Sequence, residues 1–132
     1  MSDGLAELDA MIERVRRLPE LGKRAAPEVA RVVESELHRT IAAGTTPYGE
    51  AWPLTQTGTR PLTHAANAVA VVAVGSTVFV RLTGPEARHH LGRGRGGVRR
   101  EVIPTRGIPD RMAEQIRTVL GDAFRELARG KP

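Results

Sequence analysis

Apolar residues near the N-terminus recur every three or four positions, which is the spacing of one face of an α-helix. The first stripe comprises Leu5, Leu8, Met11, Ile12, Val15 and Leu18, and the second comprises Val29, Val33, Leu37 and Ile41. Pro19 ends the first stripe, Pro27 suits a first helical turn, and Gly44 suits a helix end. The pattern therefore predicts helices over residues 5–18 and 27–43, and each apolar face needs a partner surface.

A β-hairpin is predicted after a long stretch without periodicity. Residues 44–67 are rich in Gly, Pro and Thr, which is typical of a long irregular loop. The runs AVAVVAV and TVFVRL then flank Gly75-Ser76, a two-residue link suited to a type II′ turn, and predict a hairpin over 68–82. One face would carry Val69, Val71, Ala73, Val78, Val80 and Leu82, and the other Ala70, Val72, Val74, Thr77, Phe79 and Arg81. A sheet with a fully apolar face must be covered by helices.

The last third of the chain predicts a loop, a strand and a helix. Four glycines make residues 91–97 a flexible Gly-Arg loop, and a strand follows over about 98–103. Pro109 begins a helix over 109–129 whose apolar face comprises Met112, Ile116, Val119, Leu120, Ala123, Phe124 and Leu127. Together these elements predict one α+β domain over 1–132, with a small antiparallel or mixed sheet of three to four strands packed against N-terminal and C-terminal helices.

Composition limits the classes of protein to which this chain can belong. Its 132 residues are enough for a single core. The absence of cysteine excludes disulfides and thiolate metal sites. No apolar run approaches the roughly 20 residues that span a bilayer, and the N-terminus lacks the pattern of a signal peptide. We therefore expect an intracellular protein with no membrane partner.

Positive charge is concentrated between Arg81 and Arg111. This segment holds eight Arg against three acidic residues, a surplus of five, whereas the rest of the chain balances. Such a patch can attract phosphate or an acidic protein surface. A basic surface that only contacts solvent is an equal alternative, because 18 of the 20 basic residues are Arg, which indicates a general compositional bias toward arginine. Arg95-Gly96-Gly97 adds one RGG triplet, so a small basic nucleic-acid-binding protein is an alternative function, although no aromatic residues are interleaved with the basic ones.

Known catalytic and cofactor patterns are missing. The four histidines have no metal-ligand spacing, and none of the three serines lies in a strained elbow such as GxSxG. The run GRGRGG matches neither a P-loop nor a dinucleotide-binding turn. We therefore expect neither catalysis nor a bound metal or cofactor.

The only Trp and the only Tyr of the chain lie together in the stretch TTPYGEAWPL. Pro47, Gly49, Trp52 and Leu54, followed by threonines, resemble the P-x-G-x-x-W…L…T segment of the tailed-phage virion morphogenesis family of tail completion, tail terminator and neck proteins. The order of the other features agrees with this resemblance over roughly residues 5–128. Two helices precede the motif, and a hairpin, an Ala/His/Gly segment, an Arg-rich strand ending in Ile103-Pro104 and a terminal helix follow it.

The resemblance implies a structural subunit and not an enzyme. It implies a homo-oligomeric ring, a hexamer, at the junction of tail tube and head, with the tail tube protein and head-side connector proteins as partners. The protein would be part of the virion and would assemble in the host cytoplasm. Terminator, stopper and adaptor roles all remain open, as does non-specific contact with DNA in the channel.

Seven residues are candidates for the subunit or neck interface: Tyr48, Trp52, Leu54, Arg93, Arg95, Arg99 and Arg100. Trp and Tyr are enriched at protein interfaces, so Trp52 is expected to anchor its loop onto the body of the subunit or onto an adjacent copy, with Tyr48 more exposed. Burial of Trp52 in its own core is the equal alternative. The arginines would pair with acidic residues of a ring or neck partner, or line the DNA passage.

Overall fold

The central element of the fold is a long helix against which the other elements pack. A computed structural model describes residues 2–55, 58, 65–84, 87, 90 and 98–129. In chain order the described elements are α1 (Ser2–Arg16), α2 (Leu18–Ala43), a 3-10 turn (Ala65–Ala68), β1 (Val69–Val74), β2 (Thr77–Leu82) and α3 (Asp110–Ala128). Helix α2 contacts both strands and α3. The predicted α+β class is confirmed.

Helix α2 is longer than its sequence pattern predicted. It begins at Leu18 and not near Pro27, which lies inside the helix, so the predicted start is wrong. A proline in a helix interior costs about 3 kcal/mol, and here burial of Ala25, Ala26 and Ala30 on the same stretch offsets that cost. The predicted end is correct, because Gly44 adopts φ 74° and its N–H bonds to the carbonyl of Ile41.

The hairpin forms in the predicted register. Val69 pairs with Leu82, Val71 with Val80 and Ala73 with Val78, and Gly75 has a φ of 62° at the turn. The predicted inner face packs on α2 and joins a core that comprises Val33, Leu37, Ile41, Trp52, Ala65, Val69, Val102 and Met112. The outer face is uncovered among the described residues and exposes Val72, Val74 and Phe79.

The predicted third strand over 98–103 does not form. These residues are irregular, and the sheet of the described chain has two strands, so a sheet of three to four strands is not confirmed. Backbone groups of this segment bond to side chains and not to a neighbouring strand: His90 accepts from the N–H of Val102, and the indole of Trp52 donates to the carbonyl of Glu101. The segment is nevertheless buried at Arg100, Glu101 and Val102.

The two terminal helices differ in how they are packed. Helix α3 matches the predicted bounds, with Pro109 before its first turn, and buries Met112 and Leu127. It leaves Leu120 and Phe124 exposed. Helix α1 ends at Arg16, so the predicted end at residue 18 is wrong and Leu18 begins α2. Every residue of α1 from 4 to 13 is exposed. None of the helices in the described part of the chain is long and apolar enough to cross a membrane.

Candidate functional site

The stretch that holds the Tyr and Trp, residues 45–54, is here called the Trp loop. It is an ordered turn and not a loose connection. The N–H of Thr46 donates to the carbonyl of Glu50 at 2.8 Å, and the Thr46 hydroxyl accepts from the N–H groups of Tyr48 and Glu50. Gly49 takes a φ of 93°, which few other residues tolerate. The predicted irregular loop is confirmed over residues 45–55, which form no helix and no strand beyond an isolated bridge between Thr45 and Ala51, although hydrogen bonds order it. Residues 56–57 and 59–64 lie outside the described residues.

Trp52 attaches the Trp loop to the body of its own chain. Its side chain is 4% exposed, and Nε1–H donates to the carbonyl of Glu101 at 2.8 Å. Its backbone N–H donates to the carbonyl of Gly44 at 2.9 Å, which closes the turn at the end of α2. The side chain thus belongs to the core and leaves a neighbouring subunit almost no surface to contact. Of the two alternatives drawn from the sequence, the structure supports the core role.

Arg100 holds the same loop from the other side. It is 6% exposed, and its guanidinium donates from Nε to the carbonyl of Pro53 at 2.8 Å and from Nη2 to the carbonyl of Leu54 at 3.1 Å. A planar guanidinium can satisfy two carbonyls of one loop at once. The prediction that Arg100 presents its charge to a partner is therefore corrected: the side chain is turned inward.

Tyr48 and Arg106 form a second, exposed contact between the Trp loop and the segment before α3. The Tyr48 hydroxyl donates to the carbonyl of Gly107 at 2.6 Å and accepts from the N–H of Arg106 at 2.7 Å. The Arg106 guanidinium lies 4.3 Å from the Tyr48 ring centroid and 2.6 Å from the Glu50 carboxylate. The bond from Glu50 raises the pKa of Arg106 above its ordinary value. Tyr48 is more exposed than Trp52, as predicted.

The remaining candidates are dispersed. Leu54 is 61% exposed. Arg99 is half-exposed, and its Nε donates to the carbonyl of His90 at 3.2 Å while Nη2 lies 4.0 Å from Glu101. Arg93 and Arg95, with the rest of the Gly-Arg loop over 91–97, lie outside the described residues. Among the described candidates, Trp52, Arg100 and Tyr48 attach the Trp loop to the rest of the chain. Leu54, Arg99 and Tyr48 have exposed surface that is open to a partner.

Two polar residues matter in ways that the sequence pattern did not indicate. Glu36 is buried on α2 and accepts hydrogen bonds from Arg39, Arg111 and Gln115, so it links α2 to α3. Burial raises the pKa of its carboxyl, but the hydrogen bonds from Arg39, Arg111 and Gln115 outweigh that effect and leave the pKa lowered. Its position on the helix face beside Leu37 gave no signal of this role.

His90 is the second such residue, and it is held neutral. Its Nδ1 accepts the N–H of Val102 at 3.0 Å, which requires an unprotonated nitrogen. Burial, and then the charge of Arg99, lower the pKa of His90, whereas Glu101 raises it. Glu101 itself has one oxygen 3.7 Å from Nε of Arg106, and its Oε1 is buried without a hydrogen-bond partner in the described chain.

We expect the free energy of unfolding to fall on acidification in two stages. The folded state lowers the pKa of His90, so its contribution is complete above the ordinary value of 6.5 and is lost as the pH falls below it. The folded state also lowers the pKa of Glu36, so the stability that Glu36 contributes is lost as the pH falls below its ordinary pKa of 4.5. Urea unfolding at a series of pH values measures both stages. His90→Asn, which keeps an acceptor for Val102, should remove the first stage only; an unchanged first stage would refute the assignment.

Apolar surface is the largest feature that the structure leaves uncovered. The four large apolar side chains described on α1 are between 40% and 67% exposed: Leu5, Leu8, Met11 and Ile12. The outer face of the hairpin and Ile108 add further exposed apolar side chains. An open groove of about 550 Å³ lies between α2, β2, α3 and the segment before α3. Exposed apolar side chains in these numbers favour a site of protein association.

The described residues hold no other recognisable chemistry. Among them, no group of three or more His, Asp or Glu side chains could bind a metal ion. The polar contacts described above tie the Trp loop and the helices together. Comparison with protein-family models, with curated proteins and with solved structures finds no match to this chain.

Proposed function

We propose that this chain is a structural protein of the head-tail junction of a tailed phage or a phage-derived particle. Copies of it form a ring that completes or terminates the tail tube and mediates joining to the head. The exposed apolar surface carries the proposal, because α1 displays Leu5, Leu8, Met11 and Ile12 and a hexameric ring would cover such a stripe on every copy. The motif residues support the fold that the resemblance implies: Gly49 provides the turn and Trp52 the core anchor.

The alternative, a small basic nucleic-acid-binding protein, has weaker support. Among the described arginines of the basic segment, Arg100 is buried, Arg106 pairs with Glu50, and Arg111 pairs with Glu36. Charges that are already paired release few counterions on binding DNA. A salt titration separates the two functions: DNA binding through several phosphates would weaken steeply as ionic strength rises, whereas association through apolar surface would not.

Deleting the gene in a strain that produces the particle tests the proposed function. We expect filled heads and separate tails, or tails of irregular length, in electron micrographs, and a return of joined particles when the intact gene is supplied. The purified particle should contain the protein at the neck. Normal numbers of joined, infectious particles from the deletion strain would contradict the proposal.

The Gly-Arg loop gives a more local test of the same function. Replacing Arg93 and Arg95 with Glu is expected to reduce the yield of infectious particles, because the charges offered to a partner or to DNA are reversed. The melting temperature of the purified variant should match that of the parent protein. An unchanged yield would exclude this role for the two arginines.

A further inference from the structure

Helix α1 lacks the packing that normally keeps a helix of its length folded. Isolated helices of about 15 residues are marginal in water, and most of their stability in proteins comes from covering an apolar face. In α1 the side chains of Leu5, Leu8 and Ile12 follow the i, i+3, i+7 spacing by which helices anchor in grooves. All three are exposed. The helix therefore presents an apolar docking face that the described part of its own chain does not cover.

The groove described above is a concave surface with a largely apolar lining. Its walls are Val29 and Val33 of α2, Val78 and Val80 of β2, and Met112 and Ile116 of α3. Ile108 stands at its edge with 62% of its surface exposed. The groove opens directly onto the core, so a partner that fills it would complete the packing of residues that are only partly buried in the single chain.

Charge favours α1 as the partner of a second copy of the chain. Residues 2–13 carry four acidic side chains and no basic one, a charge of −4, and Arg14 and Arg16 bring the whole of α1 to −2. The rest of the chain carries +7 within the total of +5. The acidic part of α1 in one copy is thus attracted to the positively charged remainder of another copy.

We propose that α1 of one copy docks in the groove of a second copy. The contact joins two different surfaces, so each copy can give a helix to one neighbour and receive a helix from another, and repetition of the contact closes a ring or extends a chain of copies. The inference rests on the proposed function in one respect, which is that copies of this chain associate with one another. It adds the residues that form the contact: the stripe of α1 on one side and the groove around Ile108 on the other.

Matched substitutions in α1 test the helix side of the contact. Leu8→Glu is expected to weaken self-association about tenfold or more, since it removes a buried apolar side chain and places a charge in the groove. Ala10→Glu adds the same charge on the opposite face of the helix and should leave the association unchanged. Sedimentation velocity at several micromolar concentrations measures both, and a parent protein that stays monomeric throughout overturns the proposal.

A second pair tests the groove side. Ile108→Glu should weaken association as Leu8→Glu does, and its side chain is exposed enough for the fold to be kept. Phe79→Glu alters the other large exposed apolar surface, the outer face of the hairpin, and should have no effect. Dissociation by Phe79→Glu but not by Ile108→Glu would place the contact on the hairpin and overturn the proposal.

Mixing the variants distinguishes this contact from a symmetric one. A Leu8→Glu copy keeps an intact groove and an Ile108→Glu copy keeps an intact helix. An equimolar mixture should therefore form dimers at a concentration at which each variant alone is monomeric. Failure of the mixture to associate would point to pairing of α1 with α1 and would refute the inference. Because the chain has no cysteine, Leu8→Cys and Ile108→Cys placed on separate copies should also form a disulfide-linked dimer. Cross-linking only within a chain that carries both cysteines would refute it as well.

The outcome for this contact is separable from the outcome for the proposed function. If the mixture associates but the deletion strain makes normal particles, the contact holds and the phage function fails. If particles require the protein but tolerate Leu8→Glu, the function holds and the contact fails.

Discussion

Replacing Trp52 with alanine is expected to lower the free energy of unfolding by about 3 to 5 kcal/mol. The side chain is 4% exposed in the single chain, packs in the main core and donates a hydrogen bond to the carbonyl of Glu101, so alanine leaves both a cavity and an unpaired carbonyl. For a domain with a total stability of roughly 5 to 15 kcal/mol, this is a large share. Urea unfolding monitored by circular dichroism measures the loss, because the variant has no Trp fluorescence.

Two further substitutions serve as controls for Trp52. Trp52→Phe keeps most of the apolar volume but lacks the indole N–H, and we expect it to cost less, about 1 to 2 kcal/mol. Leu54 lies two residues away and its side chain is exposed. Leu54→Ala should therefore change the free energy of unfolding by no more than about 0.5 kcal/mol. A Trp52→Ala protein that unfolds at the same urea concentration as the parent would show that the indole contributes to assembly and not to the fold of the monomer.

Replacing Arg100 with alanine is expected to have the next largest effect, a loss of about 2 to 4 kcal/mol in the free energy of unfolding. The substitution removes two charge-assisted hydrogen bonds to the carbonyls of Pro53 and Leu54 and opens space under the Trp loop. Differential scanning calorimetry gives the corresponding fall in melting temperature.

The neighbouring Arg99 provides a matched control for Arg100. Its side chain is 55% exposed and its ion-pair distance to Glu101 is 4.0 Å, so Arg99→Ala should cost less than about 1 kcal/mol. Both variants lose one positive charge. Arg99→Ala also loses the longer bonds of a half-exposed side chain to His90 and Thr105, whereas Arg100→Ala loses a buried side chain with its bonds to Pro53 and Leu54. Equal melting temperatures for the two variants would contradict the inward role of Arg100.

These expectations depend on long-range contacts that no local pattern of the sequence contains. The residues that Trp52 and Arg100 contact lie 46 to 49 positions away along the chain. The sequence singled out both residues correctly as unusual. It favoured an interface because Trp and Arg are common there, whereas the structure shows that both attach a loop to its own domain.

Local periodicity determined much of the fold. The two-residue link Gly75-Ser76 between AVAVVAV and TVFVRL predicted the register of the hairpin, because the length of a hairpin turn sets which residues pair. The three-to-four spacing likewise predicted the buried stripe of α2 and the bounds of α3. Each of these elements packs against an adjacent strand or a broad apolar surface. The apolar pattern of the sequence was therefore sufficient to predict it.

Tertiary contacts decided the remainder. Residues 98–103 have the composition of a strand, but Trp52 and His90 take backbone groups that a strand would need, and the segment stays irregular. Helix α2 passes through Pro27 because the packing around it outweighs a local cost. The stripe of α1 was visible in the sequence as a face that requires a partner. Only the structure showed that the described residues leave Leu5, Leu8, Met11 and Ile12 uncovered. A pattern specifies which side of an element is apolar, whereas the surface that covers it depends on every other element in the fold.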